Sequence, residues 1–451
     1  MRIRRCAVLY LEPREEVAFD LDGLLSGGDG LRRTPHWLAL APHLGEEVEV
    51  DATERELLGT LSPGEWRDSR TMPDELRAPL RRLLKAGLVI GSTKAHAAMR
   101  ARDEALRGVY WHPLSATLHA FTRWRDADAV QAMKDTGTEF AAALRDVLGA
   151  PPPEAAALGD EAARLPLPRS DANGFDELLA RRTTCRNFDA DRPLPLALFA
   201  QLMQRVFAAQ AQVRVADDTV FLKKTSPSGG GLHPVEAYLL VRNVEGLAPG
   251  LYHYHATTHA LEPLPFDPTT TQATTTAAAK ATNGTQAPTA EPSTLREPPL
   301  PPRAGEGWDG GGQREALADA SDTDEAATEP TPLDRLALDA VAGQHWFANA
   351  HALVLLAPRF DRTFWKYRQH AKGYRVVALE AGHLSQTLYL AATEAGLGAF
   401  ITGAINEVLL ERAFGLDPVS SGALAVCGFG WRADEMVTTE LDPNGAVWTN
   451  G

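Results

Sequence analysis

Between positions 266 and 330 of this 451-residue chain, only five large apolar side chains occur: Phe266, Leu295, Leu300, Trp308 and Leu317. A segment of that length needs buried apolar surface to offset its ordering entropy, and five side chains do not supply it. The same stretch carries 11 acidic and 4 basic residues, so half of the chain's net charge of −14 sits there. It is expected to be a disordered insertion. A folded domain that uses both flanks must be assembled from two separated pieces of sequence.

A second boundary lies upstream. "GAPPPEAAALGDEAARLPLPRS", 149–170, is rich in Pro and Ala and reads as a linker. The expected organisation is an N-terminal region over 1–148, the linker 149–170, and a second domain built from 171–265 and 331–440 around the insertion 266–330. The apolar run Cys6 to Leu11 is too short for a signal peptide and leads into acid, so it reads as a first strand. In "DATERELLGTLSPGEWRD", Thr53 and Glu56 have capping-box spacing, and Leu57, Leu58 and Leu61 form an apolar face. Leu76, Leu80, Leu83 and Leu84 share the face of a second helix, which begins near Pro79 and ends at Gly87. Leu88 to Ile90 then start a strand. Helix, helix and strand together suggest a winged-helix-like module. Its basic face, Arg77, Arg81, Arg82 and Lys85, is either a solvated surface or a docking site. Residues 95–150 look helical, with Trp111, His112, His119 and Trp124 as core candidates.

The second domain shows the strand "VEAYLLVRN", the hairpin "GLYHYHATTHALEPL" turning at 256–258, and the buried strands "ANAHALVLLAP" and "GALAVCGFG". Between the last two lies "YRVVALEAGHLSQTLYLAATEAG", a long helix apolar nearly all round, expected at the domain centre. An acidic chain is a poor candidate for nucleic acid, and none is expected as a partner. Three isolated cysteines, Cys6, Cys185 and Cys427, fit a reducing, cytoplasmic setting without disulfides. No stretch is long and apolar enough to span a bilayer, so no membrane association is expected.

Two stretches carry candidate chemistry. In "ARRTTCRNFDADRPLP", Arg182, Thr184 and Arg186 alternate, as side chains on one side of an extended segment do. Guanidinium forks match phosphate oxygens and a hydroxyl adds a neutral donor. In "KKTSPSGGGLHPVEAY", Gly229 to Gly231 leave the backbone bare for a turn, a phosphate or a flat ring. Neither this loop nor "GLGAFITGA", 396–404, has the spacing of a P-loop or a dinucleotide fingerprint. A phosphate clamp without a nucleotide motif points to a smaller phosphorylated cofactor. His253, His255 and His259 tempt a metal reading, but no carboxylate is obviously supplied, and no metal is expected. His383 reads as a hydrogen-bonded core residue, and His233 as a residue that shapes the Gly loop or touches its ligand.

The order Arg-x-Thr-x-Arg-x-Phe at 182–188, "SPSGGGLHPVEAY", "GLYHY", "FWKY", "EAGHLSQTLYLAA" and "GLGAFITGA" resembles the nitroreductase-like flavoproteins. Within them it is similar to the SagB-type dehydrogenases, azoline oxidases of ribosomal-peptide maturation. The resemblance covers about 171–265 and 333–432. It implies an α+β fold, a nitroreductase-like mixed sheet flanked by helices, here preceded by the winged-helix-like module. It implies FMN as cofactor, with the phosphate at Arg182, Thr184 and Arg186, and Thr183 nearby. The ring would lie against Ser226, Ser228, Gly230 and Gly231, faced by Ile401, Thr402 and Gly403, with Arg432 as a further phosphate contact. The family's catalytic Lys-Tyr pair falls on Lys366 and Tyr367. Azoline oxidation removes two electrons and two protons, so a base must accompany the hydride acceptor, and a buried Lys of lowered pKa could serve.

The expected function is FMN-dependent oxidation of azoline rings in a precursor peptide made by a separate cyclodehydratase, with oxygen as electron acceptor and a homodimer as assembly. The winged-helix-like module would hold the leader part of the peptide. The alternatives are an NAD(P)H-driven small-molecule nitroreductase or flavin reductase, and a non-enzymatic peptide-binding scaffold.

Overall fold

A computed structural model describes residues 1–156, 159–271 and 329–448. Of the insertion expected over 266–330, residues 272–328 lie outside the described residues. The chain divides into two compact units. The first comprises 1–123, 359–377 and 416–422, and the second 124–358, 378–415 and 423–451.

The first unit contains β1 (Arg2–Arg5), β2 (Tyr10–Phe19), β3 (Leu31–Leu40), β4 (Glu47–Glu49), β5 (Arg67–Asp68) and β6 (Val89–Gly91). β1 is the centre of an antiparallel sheet of order β5-β1-β6. The helices Ala52–Thr60 and Arg77–Ala86 belong to the same core, in which Ile3, Leu57, Leu58, Leu83, Leu88 and Ile90 are buried. Each such side chain contributes about 1.5–3 kcal/mol by leaving water. Two helices on a small antiparallel sheet form a winged-helix-like arrangement. Gly87 ends the second helix with a left-handed φ of 81°.

Two local readings of this unit need correction, and one element was not foreseen. The strand read over Cys6–Leu11 is displaced: pairing occupies Arg2–Arg5 and Tyr10–Phe19, and Cys6 turns inward between them. Arg2, Arg4 and Arg5 in β1, and Glu12, Arg14, Glu15 and Glu16 in β2, hide these strands, and no residue of β2 is buried. The capping box is Asp51 with Glu54, two residues before Thr53 and Glu56. Asp accepts from the N3 amide as readily as Thr does, and the earlier start lets Leu57 and Leu58 both face inward. The long β2–β3 hairpin was not foreseen at all. Its strands hold Pro13 and Pro35, which ordinarily argue against pairing. The basic face is partly neutralised within the unit, since Arg82 pairs with Asp51 and Glu54, and Arg77 with Asp74.

The first unit also takes in the helix Phe360–Lys366. Its Phe360 and Phe364 pack on Trp111, ring centroids 4.5 and 4.6 Å away. His119 stacks on the same indole and donates through Nε2 to Pro418 O at 3.1 Å. Burial lowers the His119 pKa to about 3, with the Arg123 charge adding to the effect.

The second unit is organised by a six-stranded sheet. A separate hairpin, β7 (Ala211–Ala216) with β8 (Thr219–Lys223), precedes it. The sheet strands are β9 (Val235–Val241), β10 (Gly250–His255), β11 (Ala260–Leu264), β12 (Ala352–Pro358), β13 (Gly398–Thr402) and β14 (Ala425–Gly430). Their order is β11-β10-β9-β12-β14-β13. The strands pair antiparallel, and a parallel bridge from Thr184 to Ala399 at the β13 edge makes the sheet mixed. β12 and β14, the unbroken apolar runs of the sequence, are buried at every residue. β12 pairs with β9 along its whole length, so the two pieces of sequence flanking the insertion meet at the sheet centre.

The helix Gly373–Glu394 is present, but it is not apolar all round. Leu379, Gly382, His383 and Gln386, spaced three and four apart, form an exposed stripe, with Leu379 63% exposed. Small residues and one leucine blur a stripe that charged residues would have marked. His383 is accordingly on the surface, not in the core, although its Nδ1 lies 3.2 Å from Pro227 O.

Candidate cofactor-binding site

The segment 182–187 is extended, and its burial alternates. Arg182, Thr184 and Arg186 lie on the half-exposed side, while Thr183, Cys185 and Asn187 are buried. The Thr184–Ala399 bridge and the Cys185 amide, which donates to Ala399 O at 2.9 Å, fix the segment to β13. Among the described residues Arg182 has no acidic partner. Its guanidinium lies over the Tyr389 ring, 5.4 Å from the centroid. The Thr184 hydroxyl is 3.0 Å from Tyr389 Oη.

Arg432 sits on the other side of the segment. Its Nη2 donates to Thr183 Oγ1 at 3.0 Å, and its Nη1 donates to Glu440 Oε2. The buried Glu440 carboxylate also accepts from the Arg186 and Asn187 amides at 2.6 and 3.1 Å, and from Trp448 Nε1 at 3.0 Å. Arg432 and Thr183 thus back the clamp through the C-terminal segment, and the clamp face itself belongs to Arg182, Thr184 and Arg186. Glu440 was not foreseen. A single acid in a tail beyond the last strand gives no periodic or motif signal.

The Gly loop is pinned by the long helix. Ser226 Oγ lies 2.8 Å from Thr387 Oγ1. Ser228 Oγ donates to Glu380 Oε2 and accepts from the His233 amide at 2.8 Å. Glu380 Oε1 accepts from the Val235 amide at 3.2 Å, so one carboxylate ties the loop to the start of β9. Burial pushes the Glu380 pKa up, against the opposing pull of Ser228, Val235 and Lys224. Gly230 and Gly231 have φ of 66° and 69°, a region costly for residues with a Cβ. His233 adopts φ 48°, so it shapes the loop's exit. Glu380 was missed too, though it left a trace: it is the one carboxylate between Arg375 and Thr393.

The Ile401–Gly403 turn has its own supports. The Ile401 amide donates to Tyr389 Oη at 3.2 Å. Thr402 Oγ1 accepts from Gln344 Nε2 at 3.2 Å and from the Ala404 amide at 3.1 Å. Gly403 is exposed, and a Cβ there would meet open space. Cationic and hydroxyl donors on the clamp, a bare-backbone loop and a glycine turn suit a phosphate joined to a flat ring, the two chemically distinct ends of FMN.

Lys366 and Tyr367 lie in the first unit, at the end of the helix Phe360–Lys366. Lys366 is exposed, and its Nζ is 5.6 Å from the centre of the half-buried Tyr367 ring. The burial sought for a lysine base is therefore not supplied within that unit. Of the tempting histidines, His253 Nε2 bonds Glu236 Oε2 at 2.8 Å, with Glu262 on its other side at 3.7 Å. Carboxylates are thus supplied after all, from the neighbouring strands β9 and β11. Among the described residues no group of three or more His, Cys, Asp or Glu side chains is placed to hold a metal. No helix among them is long and apolar enough to cross a membrane.

The chain is 24% identical over 238 residues to the trifolitoxin-processing protein TfxB of Rhizobium leguminosarum bv. trifolii, covering 52% of this chain and 47% of TfxB. It therefore spans about half the length of that relative. A Methanocaldococcus jannaschii protein described as a nitroreductase, MJ1384, is 25% identical over 244 residues, 54% of this chain and 85% of that one. Among solved structures, a chain of the Escherichia coli microcin synthetase McbBCD complex with truncated pro-MccB17 bound has 17% identity and a TM-score of 0.43. That alignment covers 76% of this chain and 95% of the other. The family model for nitroreductases matches residues 179–431. Its span begins just before Arg182, takes in the Gly loop and ends at the close of β14, more than half of the sequence, and the chain belongs to the nitroreductase family.

Proposed function

We propose that this protein is an FMN-dependent dehydrogenase that oxidises azoline rings to azoles in a ribosomally made precursor peptide. The observation that carries the flavin half is the clamp: a guanidinium without an acidic partner among the described residues, beside a hydroxyl, in a member of the nitroreductase family. Support for the peptide half comes from the likeness to a trifolitoxin-processing protein. Arg182, Thr184 and Arg186 would hold the phosphate. Ser226, Ser228, Gly230 and Gly231 would lie against the ring, and Ile401, Thr402 and Gly403 would face it. When bound, FMN supplies the two-electron acceptor.

The remaining work falls to the chain. Lys366, in its neutral form, would take the proton released from the ring carbon, with the Tyr367 hydroxyl as its partner. The winged-helix-like module would hold the leader segment, which keeps the reacting ring at high effective concentration. A cyclodehydratase would act first, since the substrate ring must already exist. A homodimer in the cytoplasm is the proposed setting.

The test is co-expression of a candidate precursor peptide and its cyclodehydratase with and without this protein, read by mass spectrometry. The expected signal is a loss of about 2 Da, two hydrogens, per ring. No mass change, combined with steady turnover of NADPH and a nitroaromatic by the purified protein, would replace this reading with that of a small-molecule reductase, the description given to MJ1384.

A further inference from the structure

We propose that Tyr389 is a positioning residue that turns the Thr184 hydroxyl outward as a hydrogen-bond donor, so that the clamp face selects a ligand group that only accepts. The inference rests on the flavin reading above and deepens it: the group selected is the phosphate.

A phenol has one proton and acceptor capacity on its oxygen. The Ile401 amide, 3.2 Å away, can only donate, so Tyr389 Oη accepts there. The tyrosine's own proton must go elsewhere. Tyr389 is 7% exposed, and buried polar groups find partners inside the protein. Among the described residues the acceptor within reach is Thr184 Oγ1, 3.0 Å away. Tyr389 therefore donates to Thr184, and Thr184 does not donate back. Burial also raises the Tyr389 pKa, which keeps that proton in place.

The consequence falls on Thr184. Its oxygen accepts from Tyr389, and its proton has no acceptor among the described residues. Thr184 is half-exposed on the same side of the extended segment as Arg182. Arg182 lies over the ring of the same tyrosine, at a distance where a guanidinium is attracted to the aromatic face. One side chain thus orients two donors and anchors them to the β13 edge through Ile401. A ligand O–H or N–H placed there meets donor against donor. A phosphate offers acceptors alone.

The experiment compares FMN with riboflavin, which lacks the phosphate, by titration of flavin fluorescence. Tyr389→Phe keeps the ring under Arg182 and removes the hydroxyl, and Thr184→Val removes the donor itself. Each variant is expected to weaken FMN by about threefold to tenfold, the worth of one hydrogen bond, and to leave riboflavin within about twofold. If Tyr389 acts through Thr184, the double variant binds FMN no more weakly than Thr184→Val alone. Thr184→Ser, which restores the hydroxyl, should recover most of the affinity. Equal loss of FMN and riboflavin in Tyr389→Phe, or losses that add in the double variant, overturns the inference while leaving the flavin reading intact. If Tyr389→Phe does not fold, the FMN-to-riboflavin ratio of Thr184→Val decides, and an unchanged ratio overturns it. A wild-type protein that binds neither flavin overturns both.

Discussion

The clamp and the Lys366–Tyr367 turn are both short stretches that carry proposed site residues, yet they are held very differently. Every element of the clamp has a second residue behind it. Tyr389 lies under Arg182 and against Thr184, and Glu440 gathers the Arg186 and Asn187 amides. The turn carries an exposed lysine at a helix end, with the neighbouring aromatic ring at 5.6 Å. Its anchorage comes from below, where Phe360 and Phe364 pack on Trp111. A site for a permanently bound group gains from rigidity in the empty protein. A base that must meet a flexible peptide can complete its surroundings when the substrate arrives.

The largest effect expected concerns that packing below the turn. His119 is neutral in the folded protein, with a pKa lowered from 6.5 to about 3. The folded value lies below the unfolded one, so its contribution to stability is complete above about pH 6.5 and is lost as pH falls toward 3. The loss is on the order of 5 kcal/mol across that window. Denaturant unfolding followed by tryptophan fluorescence should show it, and His119→Gln should flatten the dependence. An unchanged slope in that variant would detach His119 from the acid response and leave the turn as well supported as the clamp.

A functional test sharpens the same contrast. Lys366→Ala is expected to retain bound FMN and to lose azoline oxidation by about 10²- to 10⁴-fold, the usual contribution of a positioned base. Lys366→Arg should do little better, because guanidinium stays protonated. Arg182→Ala should do the reverse, weakening FMN by about tenfold while leaving turnover of the flavin-saturated protein much less affected. Single-turnover flavin bleaching by the cyclised peptide, measured without oxygen, separates the two. A Lys366→Ala protein that bleaches at the wild-type rate would remove the lysine from the chemistry.

How much could be read from the sequence follows the same division. β12 and β14 were legible because fully buried strands are unbroken apolar runs. Alternation at 182–186 was legible because one face of an extended segment repeats every second residue. The residues behind the clamp were not. Tyr389 and Thr184 are 205 positions apart, and Asn187 and Glu440 are 253. Such pairs are brought together by the sheet, and neither local period nor motif spacing reports them. The β2–β3 hairpin failed for another reason: its strands are largely exposed, so they lack the apolar alternation that marks a half-buried strand.

The smallest effect expected lies at the Gly loop, where a buried carboxylate titrates in the opposite sense to His119. Burial raises the Glu380 pKa above its ordinary 4.5. A raised carboxylate favours its protonated form in the folded state, so its contribution to stability is fully present below about 4.5 and declines as pH rises through the raised value. Glu380→Gln is neutral at every pH. Its carbonyl can still accept from the Val235 amide, and its NH₂ can donate to Ser228 Oγ, which also accepts from the His233 amide. The variant should therefore stay within about 1 kcal/mol of wild type near neutrality and gain on it as pH rises. Glu380→Ala leaves the buried Val235 amide without its partner and should cost about 1–3 kcal/mol. Unfolding free energies for the three proteins from acid to mildly alkaline pH settle the matter. A Gln variant that falls further behind wild type as pH rises would mean that Glu380 is held ionised by its donors. The loop would then be anchored by charge, as the clamp is by Glu440 and Arg432.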